Sequence, residues 1–570
     1  MANYTTSTAL LEALSEGGID YLFANFGSDH APILEAIAEA RSAARRIPKV
    51  ITCPNEMIAL TAAHGHTQLS GRAQAVLVHV DCGTQALGGA VHNAAKGRIP
   101  ALILAGISPV TQEGEAPGSR NEFIQWIQDA FDQRGIVRGY VRYDNEIRSG
   151  LNVKQIVHRA LQFAHSDPKG PVYLVAAREA LEAEAPQVRI EPAQWPAIRP
   201  ADLTAEAAAE IANALGTARR PLVVTSHLGR NPAAVSELVR LCQQLGVGVL
   251  ESVPGAVNYP TDDPYYQGCM WNEQRQNPVL AEADVVLVLD SDVPWIPSVN
   301  RPAAGAHIIH IDADPLKQQM PLWYIAATDV FRADVATALK HIYKESLISE
   351  PNVKAVTERR RHYEKRHAER DRQLAALESE PRDAIKSEYL TACIRRAVGE
   401  DAIVLSEGVT NFHHITNHMR RTRPGTLFAA GGGSLGWSTG AAIGACLARP
   451  EALVVALTGD GSYLFGQPST VFWMARRYKT PFLQVVYNNG GWNAPRSSML
   501  SVHPSGFGSR AADIDIGFDP PPDYAGIAAA AGGAHAETVR RPGEVMPALE
   551  RALNAVRSER RAAVIDAWLG

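Results

Sequence analysis

Gly459-Asp460-Gly461-Ser462 opens the stretch whose reading decides the fold, and Asn488-Asn489-Gly490-Gly491 closes it. Between them lie a segment predicted as a helix, 469–478, and an apolar run predicted as a strand, 482–487. A second apolar run, 454–458, precedes Gly459, so the order is strand, helix, strand, the unit of a parallel sheet. A carboxylate ends one strand and a carboxamide ends the next. In a parallel sheet those ends lie side by side, so oxygens of Asp460, Asn489 and the Gly491 carbonyl can meet one divalent cation. Two phosphate oxygens and a water would complete an octahedron, which suits Mg²⁺. Gly459 and Gly461 let backbone amides approach a phosphate with no Cβ in the way, and the Ser462 amide falls at a helix N-terminus. The bland alternative is a turn Asp and a loop Asn-Gly unrelated in space. The pairing of the two strand ends argues against it.

Outward from this stretch, 570 residues are too many for one core and suggest roughly three domains. A net charge of −5 without long single-sign blocks gives no reason to expect nucleic acid or a membrane surface as partner. The six cysteines show no CxxC spacing, which argues against zinc and against a disulfide framework. The start, Met1-Ala2-Asn3-Tyr4, lacks a basic region followed by an apolar stretch, and no apolar run reaches membrane-spanning length. The expectation is a soluble cytoplasmic enzyme.

Residues 1–185 alternate apolar runs (21–25, 49–52, 75–80, 101–105) with amphipathic segments such as 89–96, which predicts βαβ units. A proline-rich linker, 184–200, follows. A second α/β unit spans 201–345, with predicted strands 222–225, 285–290 and 307–312. Then comes a charged segment, 358–372, read as a solvated helix and linker. The third unit, 385–570, has predicted strands 402–406, 454–458, 482–487 and 563–567, and resembles the first in architecture. The fold class is α/β, with three doubly wound parallel-sheet domains.

The Gly459–Gly491 signature resembles that of thiamine diphosphate enzymes, and the resemblance covers nearly the whole chain. It implies a pyrimidine-binding domain at 1–185, a middle domain at 201–345 and a diphosphate-binding domain at 385–570, with thiamine diphosphate and Mg²⁺ as cofactors. In Gly431-Gly432-Gly433-Ser434-Leu435-Gly436, Leu435 matches the bulky residue beneath the cofactor. The Gly433 carbonyl matches the acceptor for the 4′-amino group. Gly408, Thr410 and Asn411 occupy the place where similar enzymes hold the far phosphate. Glu56 alone reads as a helix cap. The resemblance makes it the carboxylate that hydrogen-bonds N1′ of the aminopyrimidine, while the carbanion chemistry belongs to the cofactor. In this family Glu56 would serve the cofactor of a neighbouring chain, so a homodimer is the minimum, and a tetramer is common among similar proteins.

The substrate signals conflict. Ser28 and His79, with His30 nearby, look like the serine and histidine of benzoylformate decarboxylases. Arg420, Arg421 and Arg423 follow a segment similar to that of oxalyl-CoA decarboxylases and 2-hydroxyacyl-CoA lyases, where basic residues receive coenzyme A. The alternative is a solvated helix terminus. Trp492 and Asn493 are expected to reach toward the substrate, and 567–570 to fold over the site as a lid. In the middle unit Asp312 is a candidate for an ADP ribose, the alternative being an empty domain, and the absence of GxGxxG argues against a catalytic flavin. The leading expectation is a 2-hydroxyacyl-CoA lyase acting on an acyl-CoA thioester. The second is a 2-oxoacid decarboxylase or carboligase, and a third is a catalytically dead relative.

Overall fold

The strands follow the buried apolar runs. The protein is described by a computed structural model covering residues 4–324, 326–348, 352–511 and 513–570, so Met1–Asn3, read above for a leader, lie outside the described residues. The first unit contains β1 (Tyr21–Ala24), β2 (Lys49–Thr52), β3 (Gln74–Val78), β4 (Ala101–Ile107), β5 (Asp144–Ile147) and β6 (Pro171–Ala177). They form a parallel six-stranded sheet ordered β2-β1-β3-β4-β6-β5. The middle unit contains β7 (Pro221–Thr225), β8 (Gly248–Ser252), β9 (Tyr266–Met270), β10 (Val285–Leu289), β11 (His307–Asp312) and β12 (Asp329–Arg332), ordered β12-β11-β10-β7-β8-β9. The third contains β13 (Ile403–Glu407), β14 (Leu427–Phe428), β15 (Val454–Gly459), β16 (Leu483–Asn488), β17 (His535–Val539) and β18 (Ala563–Trp568), ordered β14-β13-β15-β16-β18-β17.

The first and third sheets share one strand order, as their similar alternation suggested. The strand order of the middle sheet reverses between β7 and β10, the kind of switch point at which parallel α/β sheets leave a crevice outside the strand ends. β3, β6, β7, β10, β13 and β16 are buried at every position. That explains their unbroken apolar runs, because helices cover both faces of a parallel sheet.

The first and third units share a core. The helix Glu56–Ser70 crosses the helix Trp437–Ala448, and both are rich in Ala, Gly and Thr and buried along most of their length. A Cβ on Gly65 would fall on the backbone of Ala441, and one on Gly444 on the carbonyl of Ala62. At these two points the backbones meet without side chains between them.

The charged segment forms the helix Val353–Leu377, which is more than a solvated linker. Arg359, Tyr363 and His367 recur at helical spacing and are buried. The Arg359 guanidinium donates to the carbonyls of Leu215, Gly216 and Ala218 at 3.1, 3.2 and 2.6 Å, and the Tyr363 hydroxyl donates to Pro221 at 2.7 Å. This helix docks on the middle unit beyond the expected boundary at 345.

The expected lid at 567–570 is corrected. Ala567 and Trp568 complete β18, an interior strand paired with β16 and β17. The Leu569 amide donates to the Asn488 carbonyl at 2.8 Å, and the Gly570 amide to Ile385 at 3.2 Å. Sheet hydrogen bonds hold this tail in place. Among the described residues no helix is long and apolar enough to cross a membrane.

Candidate active site

β15 and β16 pair in parallel with Gly459 opposite Tyr487, which brings their ends together. Asp460 begins a helix, Asp460–Phe465, and is 3% exposed. Its Oδ1 accepts the Gly461 amide at 2.9 Å and its Oδ2 accepts the Gly491 amide at 2.8 Å. Burial raises the Asp460 pKa, and the amides of Gly461, Gly491 and Gly490 oppose that rise. Asn489 donates through Nδ2 to Thr410 Oγ1 at 3.1 Å. Its Oδ1 is buried with no hydrogen-bond partner. A buried carbonyl oxygen without a donor is costly, and beside a carboxylate it suits a cation. Among the described residues no group of three His, Cys, Asp or Glu could hold a metal. The fitting set is therefore of mixed oxygens, Asp460, Asn489 and the Gly491 carbonyl. That carbonyl also accepts the Asn493 amide at 3.0 Å.

Glycine is required at two of these positions. A Cβ on Gly461 would fall on the Trp492 ring, and one on Gly491 on the Ile516 carbonyl. Ser462 is buried in the first turn of the Asp460 helix. Asn411 is buried and accepts from Ser387 Oγ at 2.6 Å, while its Nδ2 has no hydrogen-bond partner. Between Gly408 and Thr410, Val409 has φ 48°, a strained value for a β-branched residue that points to a constrained site.

The loop holding Gly433 and Leu435 is gripped from two sides. Glu407, ending β13, accepts the amides of Gly436, Trp437 and Ser438 at 2.5, 3.2 and 2.7 Å, capping the Trp437–Ala448 helix with a buried carboxylate. Burial pushes the Glu407 pKa up against those amides. From the first unit, Asn93 donates to the Ser434 carbonyl at 2.9 Å and accepts its amide at 3.0 Å. His92 Nε2 accepts the Gly433 amide at 3.1 Å. Leu435 is half-buried beside a cavity of about 600 Å³ between the three units. Gly433, Val409, Phe412, Trp271 and Val293 also line it, and Trp271 stacks on Phe412 at 4.4 Å.

Glu56 is the first residue of its helix, which the Asn55 side chain caps by accepting the Ile58 amide at 3.1 Å. A Cβ on Gly83 would lie 3.1 Å from Glu56 Oε1 and 3.3 Å from the His79 Cβ. Glu56 and His79 are thus brought together. His79 Nδ1 donates to Asp29 Oδ1, and His79 Nε2 lies 3.0 Å from Gln128 Oε1. Ser28 and His30 flank Asp29 on the 3₁₀ turn Ser28–His30; Ser28 is half-buried and His30 fully buried. The Asp29 hydrogen bond raises the His79 pKa, while burial lowers that of His30.

Models of three thiamine pyrophosphate enzyme domains match the chain in order. The N-terminal TPP binding domain matches residues 4–136, the central domain 208–328 and the C-terminal TPP binding domain 408–567. The chain belongs to the thiamine pyrophosphate enzyme family. It is 25% identical to benzoylformate decarboxylase of Pseudomonas aeruginosa over 501 residues, covering 86% of this chain and 87% of that one. It is 21% identical to acetolactate synthase of Bacillus subtilis, covering 89% and 84%. A solved thiamine diphosphate-dependent 4-hydroxybenzoylformate decarboxylase of Rhodococcus jostii RHA1 shares the fold, with TM-score 0.77 and 21% identity over 99% of both chains. By name these relatives are two decarboxylases and a synthase.

Two expectations about the enzyme are corrected. Arg420, Arg421 and Arg423 form no common cluster. Arg420 has φ 47° and turns to Glu378 at 3.2 Å, Arg421 is buried against the Gly399 carbonyl at 2.7 Å, and exposed Arg423 pairs with Asp401. Asp312 does not await a ribose. Its two oxygens meet Arg98 of the first unit at 2.9 Å and Lys317 at 2.5 Å. Half-buried Asn493 donates through Nδ2 to the Asn489 carbonyl at 3.0 Å, bracing the loop of the candidate metal residues. Sequence reasoning passed over Asp29, Gln128, Asn93 and the capping role of Glu407. Asp29 lies between Ser28 and His30, both named from the sequence, and its charge between two polar neighbours was the available signal.

Proposed function

We propose that the chain is a Mg²⁺- and thiamine diphosphate-dependent 2-oxoacid decarboxylase, with carboligation as a side reaction, acting on substrates that carry a bulky apolar group. The observation that carries this is the juxtaposition of His79, ion-paired to buried Asp29, with Glu56. The likeness to benzoylformate decarboxylase and the apolar cavity beside Leu435 support it. A coenzyme A thioester loses its motivating residues, because the three arginines are engaged separately.

Asp460, Asn489 and the Gly491 carbonyl would hold Mg²⁺. The Gly461 and Ser462 amides and the Thr410 hydroxyl would face the diphosphate. Leu435 would support the cofactor, and the Gly433 carbonyl would accept from its exocyclic amine. Bound thiamine diphosphate supplies an electron sink for breaking a bond next to a carbonyl. Glu56, donated by a second copy of the chain, holds a proton at a pyrimidine nitrogen. His79, from that same copy, donates a proton toward the substrate's carboxylate or carbonyl oxygen, with Ser28 beside it. Trp271, Val293 and Phe412 keep water from the apolar group.

The test is CO₂ release from benzoylformate and branched 2-oxo acids after loading with thiamine diphosphate and Mg²⁺. Turnover of an aryl 2-oxo acid is expected. If the loaded protein releases CO₂ from none of them, the proposal fails; if the CO₂ released is matched by a coupled acid formed with a second 2-oxo acid and no free aldehyde, the synthase reading takes its place.

A further inference from the structure

Asp29 is 2% exposed, and its surroundings are built around it. Oδ1 accepts from His79 Nδ1, and Oδ2 accepts the Val80 amide, in the first turn of the helix Val80–Ala86, at 3.2 Å. Oδ2 also lies 3.1 Å from His30 Nε2. His30 Nδ1 accepts the Gly27 amide at 3.0 Å, which puts the His30 proton on Nε2, close to Asp29 but making no hydrogen bond to it. Two glycines make the room. A Cβ on Gly27 would fall on the His79 ring, and a Cβ on Gly106, inside β4, would fall on the Asp29 carboxylate. A glycine in a strand interior weakens the strand, and here the close approach of a side chain accounts for it.

We infer that Asp29 is a positioning residue for the decarboxylation proposed above, fixing the His79 ring with Nδ1–H toward the protein and Nε2 toward the substrate, with Gln128 capping Nε2 in the resting state. A carboxylate can only accept, so the shared hydrogen lies on His79 Nδ1. Gln128 is 5% exposed, its Oε1 faces Nε2, and its Nε2 has no hydrogen-bond partner. An amide oxygen there matches a protonated ring, and an amide turned end for end matches a neutral one, so Gln128 serves His79 in both states. Burial opposes the charge on Asp29, and the His79 hydrogen bond, the two imidazoles and the Val80 amide outweigh it, which keeps Asp29 ionised. The charged or titratable groups facing His79 are Asp29 and His30 from the 3₁₀ turn and Glu56 from its helix; Asp81 and Cys82 follow on the Val80–Ala86 helix.

The role resembles that of any carboxylate that orients a catalytic imidazole. Such a residue acts through proton placement, so its loss moves a pH profile as well as a rate. Asp29→Asn is expected to lower kcat about 10- to 100-fold with KM within about threefold. The basic limb of the kcat/KM profile, where His79 loses its proton, is expected to move to lower pH, because the Asp29 hydrogen bond that raises the His79 pKa is weakened. In a His79→Ala background Asp29→Asn should add no further loss. An unmoved basic limb, or the same loss in both backgrounds, overturns the inference.

A readout without change at Asp29 guards against misfolding of the variant. In protein labelled with ¹⁵N-histidine, with His79 assigned from a His79→Gln difference, Nδ1 should remain protonated from pH 6 to 8. An Nε2-only proton at pH 7 overturns the inference. These spectra need no substrate, so they stand or fall separately from the decarboxylase proposal.

Discussion

The Gly491 amide donates to Asp460 Oδ2 at 2.8 Å, joining the ends of two strands that two helices separate in the chain. On the same loop, Asn489 Oδ1 is buried with no hydrogen-bond partner. Asp460→Asn keeps the shape and removes the charge. It is expected to weaken Mg²⁺-dependent thiamine diphosphate binding at least ~100-fold, a few kcal/mol of charge-assisted contact. Tryptophan fluorescence titration measures it. Chelation of Mg²⁺ from the wild-type protein should release the cofactor and lower Tm, since a ligand at ~100 times its Kd adds about 2.7 kcal/mol. Equal cofactor affinity in the variant would remove Asp460 from the metal set.

Glu56→Gln is expected to abolish exchange of the cofactor's C2 proton while changing cofactor affinity less than about threefold. The carboxyl acts on proton placement, and the diphosphate and its cation are held by other residues. Hydrogen–deuterium exchange at C2, followed by NMR, reads the first quantity, and the same fluorescence titration reads the second. Retained exchange would return Glu56 to a helix-capping role.

His64 lies in the Glu56–Ser70 helix against the Trp437 ring, at 5.5 Å, and burial lowers its pKa to about 3. His227 is lowered to about 4, also chiefly by burial. Both values lie below that of an unfolded histidine, so the unfolded chain binds the extra protons. Their effect on stability is absent above pH 6.5 and grows as pH falls toward 3 to 4, at up to ~1.4 kcal/mol per pH unit for each. Urea midpoints should therefore drop between pH 7.5 and pH 5. His64→Leu should drop less, by roughly 2 kcal/mol at pH 5. An identical drop in both proteins would contradict this.

Arg98 joins the first unit to the middle one through Asp312 at 2.9 Å and Asp292 at 3.4 Å, with Lys317 bonded to the same two carboxylates. Arg98→Met leaves two carboxylates with one cation, at a cost of about 3–5 kcal/mol. The middle unit should dock more loosely, and cleavage within the exposed linker 184–200 should speed up severalfold. Unchanged proteolysis and an unchanged Tm would show that the ion pairs do not hold the units together.

β15 and β16 were legible because each is an unbroken apolar run ending in residues with few other uses, Gly-Asp and Asn-Asn. β14, with two residues, and the edge strands β5, β12 and β17, with exposed or half-buried polar positions, carry no such pattern. Their neighbours place them, and a single sequence does not show neighbours. The metal residues were legible for the same reason as their strands. Asp29 was not, because a 3₁₀ turn can aim any of three adjacent polar side chains inward, and only the space left by Gly27 and Gly106 selects it. The arginines misled because sequence proximity suggests one face, whereas the left-handed backbone at Arg420 sends its neighbours to different partners.

The crossing of the Glu56–Ser70 and Trp437–Ala448 helices has a mechanical consequence. Where main chain meets main chain, at Gly65 and Gly444, no rotamer can absorb a shift, so those two points of the crossing are stiff. Any breathing that admits a coenzyme or lets a product escape must then come from elsewhere, from the middle lobe or from the loops around the mouth. A single methyl added at Gly444 would jack two whole lobes apart instead of disturbing one side chain.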